Sequence, residues 1–206
     1  MLMINIDGAD GTGKTTLVEG LMKYYVDMGK KTAYVHFPRY NTEIGQVILK
    51  VLKKELEMHP SALQMLYSAD RLNWSTYEYP QLCKTHDIVF VDRYLTSGIV
   101  YGGTDGVESD EILYNCRKNI VPNLNLILLA DATTLVNRIN RRGEEATMYE
   151  TYNTIKEAVK RYSKLHTLIQ NIYYINATQS KEAVLENAIQ HINMLLMEEY
   201  LQLPSG

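Results

Sequence analysis

Five short apolar runs along the chain alternate with stretches of helical spacing. The runs are residues 2–7, 32–37, 87–91, 124–130 and 172–175. The third, ending Ile88-Val89-Phe90-Val91, is continuously apolar, as strands covered on both faces are. Between them, apolar positions recur every three or four residues. Residues 16–28 place Leu17, Leu21, Tyr24 and Met28 on one helical face. A helix opened by Thr42 as N-cap carries Ile44, Val47, Ile48 and Leu52. Residues 61–77 align Leu63, Leu66, Tyr67 and Arg71. Further helices are predicted over 110–119, from Thr133 or Thr134 as a cap, over 151–170 with Ile155, Val159, Tyr162 and Ile169 inward, and over 181–200. Ser97 to Gly103, with three glycines around Tyr101, reads as a small-residue turn. Strand–helix alternation predicts an α/β fold. It has a parallel sheet of about five strands, helices on both faces and right-handed crossovers.

The first strand runs into Gly8-Ala9-Asp10-Gly11-Thr12-Gly13-Lys14-Thr15, which meets G-x-x-x-x-G-K-[ST] at every fixed position. The context is the one the motif requires: a strand before it and a helix after. Such a loop turns backbone N–H groups and a helix N-terminus toward phosphate oxygens. Gly8, Gly11, Thr12, Gly13 and Thr16 form the cradle, Lys14 reaches the β- and γ-phosphates, and the Thr15 hydroxyl holds Mg²⁺. The pattern predicts a P-loop NTPase fold that binds a nucleoside triphosphate. Asp92 ends the third strand, where a carboxylate beside the phosphate loop holds Mg²⁺ directly or through water.

At 206 residues a single domain, 1–206, is expected. The net charge of -3 supplies no field favouring nucleic acid or an anionic membrane. No apolar stretch is long enough to span a bilayer, and the N-terminus lacks the basic region of a signal peptide. Cys83 and Cys116 lie in no metal-type spacing, and the five histidines share no ligand-like spacing. A reduced, cytoplasmic setting is the expectation.

Arginines narrow the chemistry. Arg39 follows Phe37-Pro38 at the end of the second strand, Arg93 follows Asp92, and Arg138, Arg141 and Arg142 share a helical face before Gly143. Residues 138–150 read as a short arginine-rich lid. Arg71 ends an apolar and aromatic helix face, which suits a planar ring with a polar edge; core packing with a solvated arginine suits that stretch as well. This is more cationic wall than one triphosphate needs, and it suggests two phosphorylated substrates. A small kinase that phosphorylates a phosphate fits best. Another deoxynucleotide or a deoxynucleoside as acceptor remains the alternative; a deoxynucleoside's hydroxyl would need a base, Asp7 or Asp10.

Several of these segments resemble the thymidylate kinase family. They are Asp10 in the phosphate loop, Phe37-Pro38-Arg39, Thr42-Glu43-Ile44-Gly45, Leu66-Tyr67-Ser68-Ala69-Asp70-Arg71, Asp92-Arg93-Tyr94 with Ser97-Gly98, and the lid. The resemblance runs in order from Asp7 to about Ser180. It implies transfer of the γ-phosphoryl of ATP to dTMP, with Mg²⁺. Asp10 would then meet the dTMP sugar and phosphate region, Arg39 and Arg93 the dTMP phosphate, and Phe37 the acceptor wall. Tyr67 would stack on thymine and Arg71 hydrogen-bond its edge. Ser97 and Gly98 would line the base pocket, and Tyr101 would crowd the sugar 2′ position. Ala177 and Thr178 would flank adenine. Lys14, Arg93 and the lid arginines Arg138, Arg141 and Arg142 would carry catalysis. A homodimer through helices on one sheet face is also implied. The chain departs from the family pattern at three places. Gly11 stands where some members carry arginine, Arg39 comes one residue early, and Tyr67 replaces phenylalanine.

Overall fold

The computed structural model describes residues 1–141 and 151–202, without the side chains of 198–202. Its centre is one sheet of five parallel strands: β1 (Leu2–Gly8), β2 (Thr32–His36), β3 (Ile88–Asp92), β4 (Leu124–Leu129) and β5 (Ile172–Asn176). The strand order is β2-β3-β1-β4-β5. The first phosphate-loop residue thus leaves a central strand. β1, β3 and most of β4 are fully buried, and the edge strands are partly exposed.

The period of two along the strands sorts two cores. Leu2, Ile4 and Ile6 of β1 join Ile88 and Phe90 in the larger one. Met3, Val89 and Val91 point the other way and meet Phe37, Trp74 and Tyr94. Asn5 and Asp7 share the parity of Met3, so the strand's polar side chains look out on the side of that smaller core.

The helices in order are α1 (Lys14–Asp27), α2 (Glu43–Leu52), α3 (Pro60–Tyr77), α4 (Tyr79–Thr85), α5 (Leu95–Thr104), α6 (Ser109–Cys116), α7 (Ala132–Asn140), α8 (Tyr152–Tyr162) and α9 (Lys181–Gln202). Local chemistry explains several starts. Gly13 caps α1 in the left-handed conformation that glycine adopts freely. Thr42 caps α2 as expected, its hydroxyl accepting from the Gly45 N–H at 3.1 Å. Asp131 caps α7, in place of Thr133 or Thr134, because its carboxylate accepts from both the N–H and the hydroxyl of Thr134. Thr151 caps α8, which ends at Tyr162 rather than near 170; a short 3₁₀ turn, Leu165–Thr167, follows.

Two further expectations are corrected and one helix is added. On α1 Tyr25 is the fully buried aromatic and Tyr24 packs partly buried against the same core, while Met28 is exposed. Residues 79–85 form a helix that no periodicity announced. The segment expected as a turn around Tyr101 is the helix α5. Its glycines lower helix propensity, but packing overrides that. A Cβ on Gly102 would lie 2.7 Å from Ile112 Cδ1 and 2.9 Å from Gln64 Cδ, so only glycine lets α3 and α6 approach this closely. Among the described residues no helix is long and apolar enough to cross a membrane.

Candidate active site

The parallel register brings four strand ends to one edge. Gly8 pairs with Leu128, Ile6 with Asp92, and Leu129 with Asn176. Open α/β sheets bind their ligands at this carboxyl edge.

The phosphate loop lies there. Gly8 and Gly11 have φ of +148° and +84°, and a Cβ on Gly8 would lie 2.6 Å from the Leu128 carbonyl oxygen. Thr12 holds the turn by donating its hydroxyl to Ala9 O at 2.8 Å. Lys14 folds over the loop, donating to Gly8 O at 2.9 Å and Ala9 O at 3.3 Å, with Asp10 Oδ1 at 3.9 Å. Burial, then the nearby Arg93 charge, holds its ammonium below the usual lysine pKa. The side chain is a cation held mainly by neutral carbonyls. Polyphosphate oxygens would relieve that deficit. Thr15 and Thr16 are exposed in the first turn of α1, where N–H groups lack intrahelical partners.

Arg93 leaves β3 with φ +63°, a left-handed conformation uncommon outside glycine. The turn aims its guanidinium at Asp10, with which it is ion-paired, and over the Tyr101 ring, 5.7 Å from the centroid. Lys14, Asp10, Arg93 and Tyr101 therefore form one cluster. Asp92, the residue before, is buried; its Oδ2 accepts from the Tyr34 hydroxyl at 3.2 Å and its Oδ1 has no partner. Arg138 of α7 reaches the loop from the far side, donating to Gly11 O at 3.4 Å. α7 ends at Asn140, so Arg141 is its exposed C-cap, and Arg142 with residues 143–150 of the lid lies outside the described residues. Ala177 and Thr178 follow β5; Thr178 turns back onto Asn176 Oδ1 through its N–H and hydroxyl.

A second group lies on α3 and α5. Arg71 is buried, against the solvated reading of its stretch, with its Cζ 5.8 Å from the centroids of both the Tyr67 and Tyr94 rings. Its Nε and Nη1 have no hydrogen-bond partner among the described residues. Gly98 makes room for it: a Cβ there would lie 3.1 Å from Arg71 Nη1. Phe37 is a buried wall behind, packed on Trp74 and Tyr94.

Two predicted site residues are engaged elsewhere. Arg39 commits all three nitrogens: Nε to Asp70 Oδ1 at 2.9 Å, Nη2 to Asp70 O at 3.2 Å, and Nη1 to Glu78. Ser97 donates to Asp7 Oδ1 at 2.7 Å. Asp7 itself is fully buried and accepts also from the Gly8 N–H, Tyr162 and Thr96. Nothing in the sequence spacing of Tyr162 and Thr96 links them to Asp7.

The thymidylate kinase family profile matches residues 6–188. The chain belongs to this family. Membership makes it a kinase that phosphorylates dTMP. It is 28% identical over 193 residues to a probable thymidylate kinase 1 of Saccharolobus solfataricus, covering 92% of this chain and 96% of that one. A probable thymidylate kinase of Methanocaldococcus jannaschii is 28% identical, with coverage of 80% and 81%. A thymidylate kinase of Dictyostelium discoideum is 30% identical, with coverage of 76% and 70%. The matched span runs from the last residues of β1 through the phosphate loop, both arginine groups and into α9, so the family assignment covers the whole carboxyl edge.

Proposed function

We propose that the reaction, ATP plus dTMP giving ADP and dTDP, runs across the carboxyl edge of the sheet with the roles that follow. The observation that carries the reading is the pairing of two half-sites. Lys14 and Arg93 share Asp10 at the phosphate loop, and an Arg71 guanidinium with free donors lies between two phenol rings. The first suits phosphates on both substrates; the second suits a ring with a carbonyl edge.

The nucleophile is a dTMP phosphate oxygen, ionised at neutral pH, so no strong general base is required. Catalysis is then positioning and charge stabilisation. Arg93 binds the acceptor phosphate and Asp10 fixes Arg93. Lys14 leaves its carbonyl partners for the β- and γ-phosphates. Arg138, already on the loop, meets the transferred group, with Arg141 and Arg142 as the further lid arginines. Tyr67 stacks on the base, Gly98 admits Arg71 to its edge, and Tyr101 limits the sugar. Ala177 and Thr178 flank adenine. Thr15 and Asp92 would hold Mg²⁺; the buried, unpartnered Asp92 Oδ1 fits that cation. Bound there, Mg²⁺ would neutralise charge on the β- and γ-phosphates.

The second expected property is a homodimer. Val47, Met65, Tyr77 and Tyr114 are exposed on α2, α3 and α6. Helices with exposed apolar side chains of this kind are where self-association would be sought. Light scattering showing a monomer at working concentration would remove it.

The reaction is tested by ADP release from ATP with dTMP, dUMP, dGMP, dCMP, dAMP or thymidine offered separately. Turnover dependent on dTMP is expected. Turnover with thymidine alone would overturn the argument from arginines.

A further inference from the structure

One buried polar group beside Arg71 has no hydrogen-bond partner among the described residues. Gln64 lies two turns before Arg71 on α3, is 3% exposed, and its Oε1 makes no hydrogen bond. An amide oxygen left so in a folded core carries a desolvation penalty that a ligand can remove. Its direction is fixed by the glycines of α5. A Cβ on Gly102 would lie 3.1 Å from Gln64 Cγ and 2.9 Å from Cδ, while a Cβ on Gly98 would lie 3.4 Å from Oε1. The carboxamide therefore runs along α5 from Gly102 toward Gly98, which is toward the helix N-terminus and the strand ends. There Oε1 and Arg71 Nη1 abut the same glycine notch, at 3.4 Å and 3.1 Å from one point, and among the described residues neither has a hydrogen-bond partner.

We infer that Gln64 is a second reader of the acceptor base, working beside Arg71 through the notch at Gly98. The inference rests on the dTMP reading above and adds the chemistry of its selectivity. An unpartnered donor next to an unpartnered acceptor matches a ring edge with a carbonyl beside an N–H. Thymine and uracil carry that pair at C4 and N3. Cytosine carries the reverse, an amino group beside a bare ring nitrogen, and would set donor against donor and acceptor against acceptor. Guanine shares the pattern of thymine and is separated by its second ring. Gln64 and Arg71 together thus separate dTMP and dUMP from dCMP; they do not separate dTMP from dUMP, whose difference is at C5.

The test is kcat/KM for dTMP, dUMP and dCMP with the unsubstituted protein and with Gln64→Met, which keeps length and removes the polar atoms. In the variant, kcat/KM for dTMP should fall about tenfold. The dTMP-over-dCMP preference should also fall about tenfold or more, as a buried partner left unpaired implies. The dTMP-over-dUMP ratio should stay within about twofold. A helix-packing role alone would lower the melting temperature and depress all three substrates alike, and that pattern overturns the assignment. A dTMP-over-dCMP ratio unchanged within twofold also overturns it. If Gln64→Met does not fold, the unsubstituted protein still decides. dTMP methylated at N3 should lose at least about a hundredfold in kcat/KM, and full retention refutes a contact at N3. Absence of dTMP turnover by the unsubstituted protein overturns the kinase reading first and this assignment with it. With that turnover present, the other failures touch Gln64 alone.

Discussion

Replacing Arg39 separates two accounts of that residue. Family resemblance assigns its guanidinium to the dTMP phosphate. The structure shows it tied to Asp70 by a side-chain ion pair at 2.9 Å and a bond to the Asp70 carbonyl at 3.2 Å, while the Arg39 N–H donates to Asp70 Oδ2 at 2.8 Å. The Arg39 and Asp70 side chains are 6% and 1% exposed. Arg39→Met removes the cation and leaves a carboxylate buried without its partner. Breaking a buried pair from one side costs about 3–5 kcal/mol. Glu78 adds little to this, since its side chain is 57% exposed and its charge is screened. For a chain of this length a loss of 1 kcal/mol lowers the melting temperature by about 2–4 °C, so a fall of about 6–20 °C is expected. Adding Asp70→Asn removes the stranded charge, and the double variant should recover several degrees. The assay is thermal unfolding by circular dichroism for both variants, with KM for dTMP measured well below either transition. KM should stay within about threefold, because Arg93 and Arg71 are untouched. A melting temperature within about 2 °C of the parent, with KM raised tenfold or more, would refute the clamp and make Arg39 a substrate ligand.

Lys14→Met should lower kcat by at least about a hundredfold, the scale of losing one charge-stabilising donor. It should leave stability unchanged or raised, since it removes a buried cation; near-normal transfer would sink the mechanism. Asp92→Asn should raise the Mg²⁺ concentration for half-maximal activity by about tenfold or more, and an unchanged Mg²⁺ titration would release Asp92 from that role. His36, beside Asp92 across β2 and β3, has its pKa lowered from 6.5; burial is the main cause, and Arg93 adds to it against the opposing Asp92. The unfolded chain then takes up the proton first. Stability is full above about pH 6.5 and is lost as pH falls through the lower folded value. Melting temperatures measured down to about pH 5 should show this, and His36→Gln should flatten it. An identical acid slope in the variant assigns it to other groups.

Much of the architecture was legible because it depends on local periods and on one motif. The five strands read as apolar runs, and their parallel order follows from alternation with helices. Gly8, Gly11 and Gly13 all take positive φ, as the loop pattern requires. What the sequence hid depends on contacts between distant residues. α5 looked like a turn because its glycines are poor helix formers; their use is the close approach of Gln64, Arg71 and Ile112 from other helices. The stretch around Arg71 suits a base-facing and a solvated guanidinium equally, and only the Tyr94 ring from after β3 and the Gly98 notch show it to be buried. Arg39 meets a carboxylate 31 positions away, a pairing that no local spacing encodes.

The same contacts bear on the choice of acceptor. A deoxynucleoside presents an un-ionised hydroxyl and needs a carboxylate base within reach. Asp7 has no capacity for that. Its Oδ1 accepts from the Gly8 N–H, Ser97 and Tyr162, and its Oδ2 from Thr96, all in full burial. Asp10 is ion-paired with Arg93 and lies 3.9 Å from Lys14, so its carboxylate is already engaged by the two cations of the phosphate loop. Asp7 is instead a tie. It fixes the start of the phosphate loop to α5, which carries the Gly98 notch and Tyr101, and to α8 through Tyr162. Donor cradle and acceptor wall are thereby held at one spacing before either nucleotide arrives. That is the requirement of a transfer whose nucleophile is already charged and whose barrier is lowered by alignment and by cations. Both carboxylates that could have served a hydroxyl acceptor are built into the frame of a phosphate acceptor.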